Sequence, residues 1–218
     1  DSRPYVILNA AMTIDGKIAS RTGDTKLSGD QDLRRVHELR SQVDAIMVGI
    51  KTVLNDDPKL TTKWPGGKNP LKVIVDSGGR TPPKSQAITF DKSTKTLIAT
   101  SKKATKLNID ELVRAGAEVF ITGEGEIVDL MRLMKHLKTI AINKLLLEGG
   151  GTLNWSMISL NLVDEIRVAV TPIIIGGQKA TTLVDGEGFD SIQNSFRLRL
   201  ESVQRLDGDV ILTYKFLH

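Results

Sequence analysis

The chain has 218 residues, 40% hydrophobic and 26% charged, enough for a substantial core and with no apolar run long enough to span a bilayer. It contains no cysteine, which removes disulfides, thiolate metal sites and cysteine nucleophiles together. The net charge of +4 comes from basic residues dispersed among 26 acids; a nucleic-acid partner would call for a concentrated basic stripe, whereas a small anionic ligand remains compatible.

In chain order, the first predicted strand covers residues 5–10, and its Tyr5-Val6-Ile7-Leu8 run is too short for a secretory core. A soluble, cytoplasmic protein is expected. The strand runs into Ala11-Met12-Thr13-Ile14-Asp15-Gly16-Lys17-Ile18-Ala19, where Asp-Gly marks a turn that fits a purely structural role as well as a functional one. Ser28 with Gln31 three residues later resembles a capping box. Leu33, Val36 and Leu39 then predict a helix with one buried stripe. Strands are predicted at 45–48, 72–75, 96–100, 118–121, 144–147 and 166–170. Two helices fall among them, a short one over 110–115 closed by Gly116 and an amphipathic one carrying Ile127, Leu130, Met131, Met134 and Leu137. Segments 196–204 and 210–216 flank Leu206-Asp207-Gly208-Asp209, a strong hairpin signal. The alternation predicts a single α/β domain, its central sheet mostly parallel and flanked by helices, with an antiparallel hairpin at the end.

Glycines cluster where strands end, and ligands of open α/β sheets gather there. Val48-Gly49 leads to Asp56-Asp57-Pro58, which is either a solvated turn or a ligand contact. Val75-Asp76-Ser77-Gly78-Gly79-Arg80 adds a cation able to meet a phosphate. Leu145-Leu146-Leu147-Glu148-Gly149-Gly150-Gly151-Thr152 reads as a buried strand, a carboxylate, and a glycine turn opening a helix. Glycine lets a ligand approach the backbone, and free amides at a helix N-terminus favour an anion. Ile173-Ile174-Ile175-Gly176-Gly177 carries no polar group and reads as a structural bend. Neither the G-x-G-x-x-G fingerprint nor the Walker pattern is present. His37, His136 and His218 are too scattered for a histidine-rich metal site. The residues by themselves lead to a nucleotide-dependent α/β protein.

Taken together and in order, Pro4-Tyr5-Val6, the 11–19 segment, Val48-Gly49 with Thr52-Val53-Leu54, Asp56-Asp57-Pro58-Lys59-Leu60-Thr61 and Leu147-Glu148-Gly149-Gly150-Gly151 resemble the reductases of riboflavin biosynthesis. These stand alone in archaea and fungi and form the C-terminal half of a bifunctional deaminase-reductase in bacteria. The resemblance covers nearly the whole chain, and with no deaminase motif in it the sequence resembles the stand-alone branch. It implies a dihydrofolate-reductase-like fold, a homodimer, and NADPH (with NADH possible) as hydride donor. The implied substrate is 2,5-diamino-6-ribosylamino-4(3H)-pyrimidinone 5′-phosphate, reduced to its ribitylamino product.

Matched residue by residue, the resemblance puts Thr52 and Asp56 at the cofactor, and Ser77, Gly78, Gly79 and Arg80 by the adenosine ribose and 2′-phosphate. Ile127 would pack on the adenine side, and Gly149, Gly150, Gly151 and Thr152 would cradle the pyrophosphate. On the substrate side it implicates Asn9, Ser28, Arg40, Leu60, Lys63 and Glu148. Asn9 stands where bacterial relatives carry lysine. Lys63 stands at the phosphate-binding arginine, offering charge without a bidentate fork. Glu148 is the main catalytic candidate, holding the ring or assisting proton transfer. Asp32 could accept from a ring amino group, or simply favour a helix first turn. Two alternatives stay open: a dihydrofolate-reductase-like enzyme for another pterin or pyrimidine, and a non-catalytic nucleotide-binding protein.

Overall fold

Short β-branched runs alternate with amphipathic stretches from Tyr5 onward, and each becomes a strand or a helix. A computed structural model describes residues 2–217. In chain order these are β1 (Tyr5–Thr13), α1 (Asp30–Ser41), β2 (Ala45–Gly49), α2 (Ile50–Asp56), β3 (Leu71–Val75), α3 (Gln86–Thr89), β4 (Thr96–Thr100), α4 (Lys106–Arg114), β5 (Glu118–Ile121), α5 (Leu130–Thr139), β6 (Lys144–Leu147), α6 (Gly151–Ser159), β7 (Glu165–Thr171), a 3-10 turn (Ile192–Asn194), β8 (Leu198–Leu206) and β9 (Asp209–Phe216). Contacts within the chain divide it into two units. One is built on His37–Leu146 with the residues before Val6, the other on Val6–Val36 and the chain from Leu147 on.

In the first unit the strand order is β5-β4-β3-β2-β6. The β2–β3, β3–β4 and β4–β5 pairs are all parallel, with Val48 opposite Ile74 and Ile74 opposite Ile98. Ile46, Met47, Val48, Val73, Ile74, Ile98 and Ala99 are buried in consecutive rather than alternating runs, as in a parallel sheet covered on both faces. Helix α5 contributes Leu130, Leu133, Met134 and Leu137 to the core.

Lys72 of β3 is also fully buried. Its ammonium donates to the Asp91 carbonyl at 2.8 Å, while burial pulls its pKa down against the opposing pull of the Asp91 charge. The Asp91 carboxylate accepts from the Ser93 hydroxyl (2.6 Å), the Ser93 N–H (2.9 Å) and Asn69 Nδ2 (2.7 Å). The Ser93 hydroxyl leads in lowering its pKa to about 2. A carboxylate with a depressed folded pKa contributes stability above its unfolded value of 3.8 and loses it as pH falls through about 2. Urea midpoints of wild type and Asp91→Asn should therefore differ most above about pH 4 and converge toward about pH 2. Parallel midpoint curves would show that the ionisation of this carboxylate adds nothing to stability.

In the second unit the order is β1-β7-β9-β8. β1 and β7 are parallel, with Asn9 opposite Arg167 and Thr13 opposite Thr171. β9 runs antiparallel to both β7 and β8. The Asp-Gly hairpin forms as the sequence predicts: Leu206 pairs with Asp209, and Asp207 takes a left-handed φ of 54°. Helix α6 buries Leu153, Asn154, Met157 and Ile158.

Several local expectations change. Helix α1 begins at Asp30, the Gly29 carbonyl accepting the Leu33 N–H at 3.0 Å. Ser28 is therefore not a capping-box residue; its hydroxyl donates to Asp32 instead. Leu33 is 48% exposed and Asp32 1%, so a carboxylate takes the buried place expected for a leucine. Helix α4 starts earlier than residue 110, where the Thr105 hydroxyl caps the Asn108 N–H at 3.2 Å. Ile127 precedes α5 and is exposed, as is Met131. The short helices α2 and α3, where no side chain caps the first turn, were not predicted.

Candidate functional site

Candidate residues occur in both units, and each set is built locally. Strand β6 ends in three fully buried leucines, Leu145, Leu146 and Leu147, and the second unit resumes at the last of them. Glu148 follows, half-buried. Gly149 and Gly150 then adopt φ of 66° and 77°, a region that favours glycine, and α6 starts at Gly151. Gly150, its N-cap, has no side chain to bond the first-turn amides. Such a helix start presents N–H groups and a positive dipole end to an anion.

Two of the three glycines are needed for a reason different from ligand approach. A Cβ on Gly149 would come 2.6 Å from Asn154 Oδ1, and one on Gly151 would come 2.5 Å from Asp185 Oδ2 and 2.6 Å from the Thr182 carbonyl. The Asp185 N–H donates to the Gly151 carbonyl at 3.0 Å, and Asn154 Nδ2 donates to the Leu183 carbonyl at 2.8 Å. Asp185 is held in turn by the Thr182 hydroxyl and N–H. The protein's own side chains thus brace the turn from behind.

The same unit joins three predicted substrate residues. Asn9 is 5% exposed and Asp32 1%. Ser28 Oγ donates to Asp32 Oδ2 at 2.6 Å, Arg35 Nε donates to Asp32 Oδ1 at 2.8 Å, and Arg35 Nη2 donates to Asn9 Oδ1 at 2.9 Å. No sequence motif marks Arg35, although its place three residues after Asp32 sets both on one helix face. Burial, followed by the charges of Asp32 and Asp207, pushes the Asp209 pKa up, with Arg35 opposing.

The Asp15-Gly16 turn forms with Gly16 at φ 79°. Its carboxylate accepts the Gly176 N–H at 2.8 Å and the Ile175 N–H at 3.2 Å. The Thr13 hydroxyl leads these bonds in lowering the Asp15 pKa. Gly176 and Gly177, at φ of 66° and 86°, make the structural bend expected there.

In the first unit, segment 76–81 is a tightly held turn. Buried Asp76 accepts the Thr81 N–H at 2.7 Å and the Thr81 hydroxyl at 2.8 Å. Asn108 Nδ2 donates to the Gly78 carbonyl at 3.1 Å, and the Val128 N–H donates to Ser77 Oγ at 3.0 Å. Ile127, the residue before Val128, is exposed. Gly79 has φ 63°. Arg80 is exposed and, among the described residues, makes no hydrogen bond or ion pair, leaving its guanidinium free for an anion. On α2, Thr52 is half-buried and Asp56 exposed. Asp57, at φ 41°, is committed to structure, accepting the Gln86 N–H at 2.7 Å at the start of α3.

Arg40 and Lys63 belong to this unit too. Arg40 Nη1 donates to the Thr61 carbonyl at 3.0 Å. Leu60 is buried, with a left-handed φ of 54°. Lys63 is exposed, without an ion pair among the described residues. Within those residues, no group of three or more histidines and acids could hold a metal, and no helix is long and apolar enough to cross a membrane. His218 lies outside them.

Comparison with known proteins gives this geometry a context. The family model of the RibD C-terminal domain matches residues 4–212 and so runs through both units. The 2,5-diamino-6-ribosylamino-4(3H)-pyrimidinone 5′-phosphate reductase of Methanothermobacter thermautotrophicus is 50% identical, over 97% of this chain and 98% of its own. Its namesake in Archaeoglobus fulgidus is 41% identical, over 98% and 99%. Among solved structures, Acinetobacter baumannii RibD superposes with a TM-score of 0.85 at 26% identity over 99% of this chain. The chain spans 58% of that protein's length. The expected fold, mostly parallel with a terminal antiparallel hairpin, is the one these reductase domains share.

Proposed function

The chain belongs to the RibD C-terminal domain family, and we propose on that premise that it is the stand-alone reductase of riboflavin biosynthesis. It reduces the ribosyl side chain of 2,5-diamino-6-ribosylamino-4(3H)-pyrimidinone 5′-phosphate to the ribitylamino product. The observation that carries this reading is 50% identity over nearly the full length of a stand-alone relative of that name.

NADPH is the proposed cofactor, and it supplies the hydride when bound. The uncapped start of α6 with its positive-φ glycines suits a pyrophosphate, and the unpaired Arg80 suits a 2′-phosphate. Thr52, Asp56, Ser77, Gly78, Gly79 and Ile127 of the first unit, and Gly149, Gly150, Gly151 and Thr152 of the second, are the proposed cofactor contacts. For the substrate, the Asn9–Arg35–Asp32–Ser28 network offers fixed polar groups to the diaminopyrimidine. Arg40, Leu60 and Lys63 take the sugar-phosphate end. Glu148 holds the ring and manages the proton that accompanies sugar opening. Conversion of a cyclic ribosylamine to an open ribityl chain adds a hydride equivalent at C1′ and a proton at the ring oxygen. A carboxylate near the substrate is suited to that proton movement.

We assign a homodimer and a cytoplasmic location to the enzyme. Edge strand β8 supports self-association, with Leu200 50% and Val203 58% exposed.

The activity is tested by following loss of reduced-nicotinamide absorbance with the diaminopyrimidine phosphate and, separately, with dihydrofolate. Oxidation with dihydrofolate alone would overturn the assignment, and oxidation with neither would favour a binding protein. Arg80→Ala should raise the KM for NADPH about 10- to 100-fold, the worth of one charge-assisted hydrogen bond, while leaving the KM for NADH nearly unchanged. Equal effects on both cofactors would remove Arg80 from the 2′-phosphate.

A further inference from the structure

Three successive residues after Leu60 are fastened to one face of α1. Arg40 Nη1 donates to the Thr61 carbonyl (3.0 Å), the Thr62 hydroxyl donates to the His37 carbonyl (2.5 Å), and the Lys63 N–H donates to His37 Nδ1 (3.2 Å). His37 and Arg40, three apart on the helix, share a face. On the other side the Thr62 N–H donates to Asn69 Oδ1 at 2.8 Å, and Asn69 is bonded to the Asp91 carboxylate. The Thr62 hydroxyl also accepts the Trp64 N–H at 3.1 Å. The loop is therefore held at 61, 62 and 63 and again at 64, while the Lys63 ammonium is exposed and unpaired among the described residues. An imidazole that accepts at Nδ1 carries its proton on Nε2, so the bond to Lys63 needs neutral His37 in one tautomer.

We propose that His37 is a positioning residue for Lys63: it fixes the backbone from which the lysine reaches the phosphate end of the substrate. A long, flexible lysine offers a point charge with no geometric fork. Its effectiveness toward a phosphate depends on where its backbone is anchored, and His37 bonds that backbone amide directly. The inference rests on the reading of Lys63 as a substrate-phosphate contact.

His37→Ala should raise the KM for the diaminopyrimidine phosphate about tenfold, with kcat and the KM for NADPH within about twofold. His37→Asn, whose Oδ1 can accept the same amide, should restore most of the loss. Lys63→Ala should raise the same KM, and His37→Ala/Lys63→Ala should be no worse than Lys63→Ala alone, because a residue acting through another is not additive with it. Amide hydrogen exchange at Lys63 gives a readout independent of turnover: faster in His37→Ala and protected in His37→Asn. An unchanged KM in His37→Ala, additive effects in the double variant, or an unchanged Lys63 exchange rate would each overturn the proposal. Absence of turnover in the wild type would overturn the reductase reading instead, and the exchange experiment would still decide whether His37 anchors the loop.

Discussion

Glu148→Gln should lower kcat by about two to four orders of magnitude, the range over which positioned acid–base groups contribute, while changing NADPH affinity less than about threefold. The reasoning starts in β6. Leu145, Leu146 and Leu147 have no exposed surface, so the strand end is fixed by the core and Glu148 has little freedom to relocate. Next to it, Gly149 and Gly150 are locked in left-handed backbone, and the helix start follows. Glutamine keeps the shape and hydrogen-bonding reach of glutamate but has no negative charge and cannot hold or release the proton that ring opening requires. The α6 amides, proposed to hold the cofactor, are left as they were. Steady-state kinetics with the pyrimidine, set beside NADPH titration by protein fluorescence, checks the split. Losses of equal size in both quantities would place Glu148 at the cofactor and end its substrate-side role.

The strands were legible because each is a short apolar run bounded by polar or glycine residues. Thr96–Thr100, Glu118–Ile121 and Lys144–Leu147 appear with the ends that the sequence implies. Helix starts were less so. Ser28 carries a good capping pattern, yet its hydroxyl is 2.6 Å from Asp32 Oδ2, and a local pattern cannot show that a buried carboxylate competes for it. Helix α2 follows β2 directly and has no capping side chain, so nothing in its first turn announces it. In the site, the glycine turn and Glu148 were readable as a strand-to-helix junction, but the neighbours that demand glycine at 149 and 151 were not. Asp185 is remote in sequence from Gly151 and comes to it only through the fold. The Asn9–Arg35–Asp32–Ser28 network has the same character. The resemblance implicates Asn9 and Ser28, and helical spacing can set Arg35 beside Asp32, but that Arg35 also reaches Asn9 is visible only in three dimensions.

Gly151→Ala should destabilise the protein by about 1–3 kcal/mol, the cost of inserting a methyl group into a packed site. In a chain of this size each kcal/mol corresponds to about 2–4 °C in Tm. The sign is the informative part. Gly151 is a helical residue, and glycine-to-alanine in an exposed helix interior ordinarily stabilises by about 1 kcal/mol. Here the added Cβ would lie 2.5 Å from Asp185 Oδ2 and 2.6 Å from the Thr182 carbonyl. The carboxylate can rotate away, but Thr182 bridges to Lys17 and Leu183 donates to the Gly16 carbonyl, so the backbone is held from its other side. Relief must come from α6, and moving its first turn displaces the amides proposed for the pyrophosphate. Gly151→Ala should therefore also raise the KM for NADPH about tenfold or more, the equivalent of losing one hydrogen bond to a charged group. Asp185→Ala in the same background removes the flexible contact and leaves the Thr182 carbonyl, so it should recover part of the lost Tm and not all of it. A Gly151→Ala protein that melts higher than wild type would mean that Asp185 and Thr182 do not press on this turn, and the account of why glycine stands at 151 would fail with it.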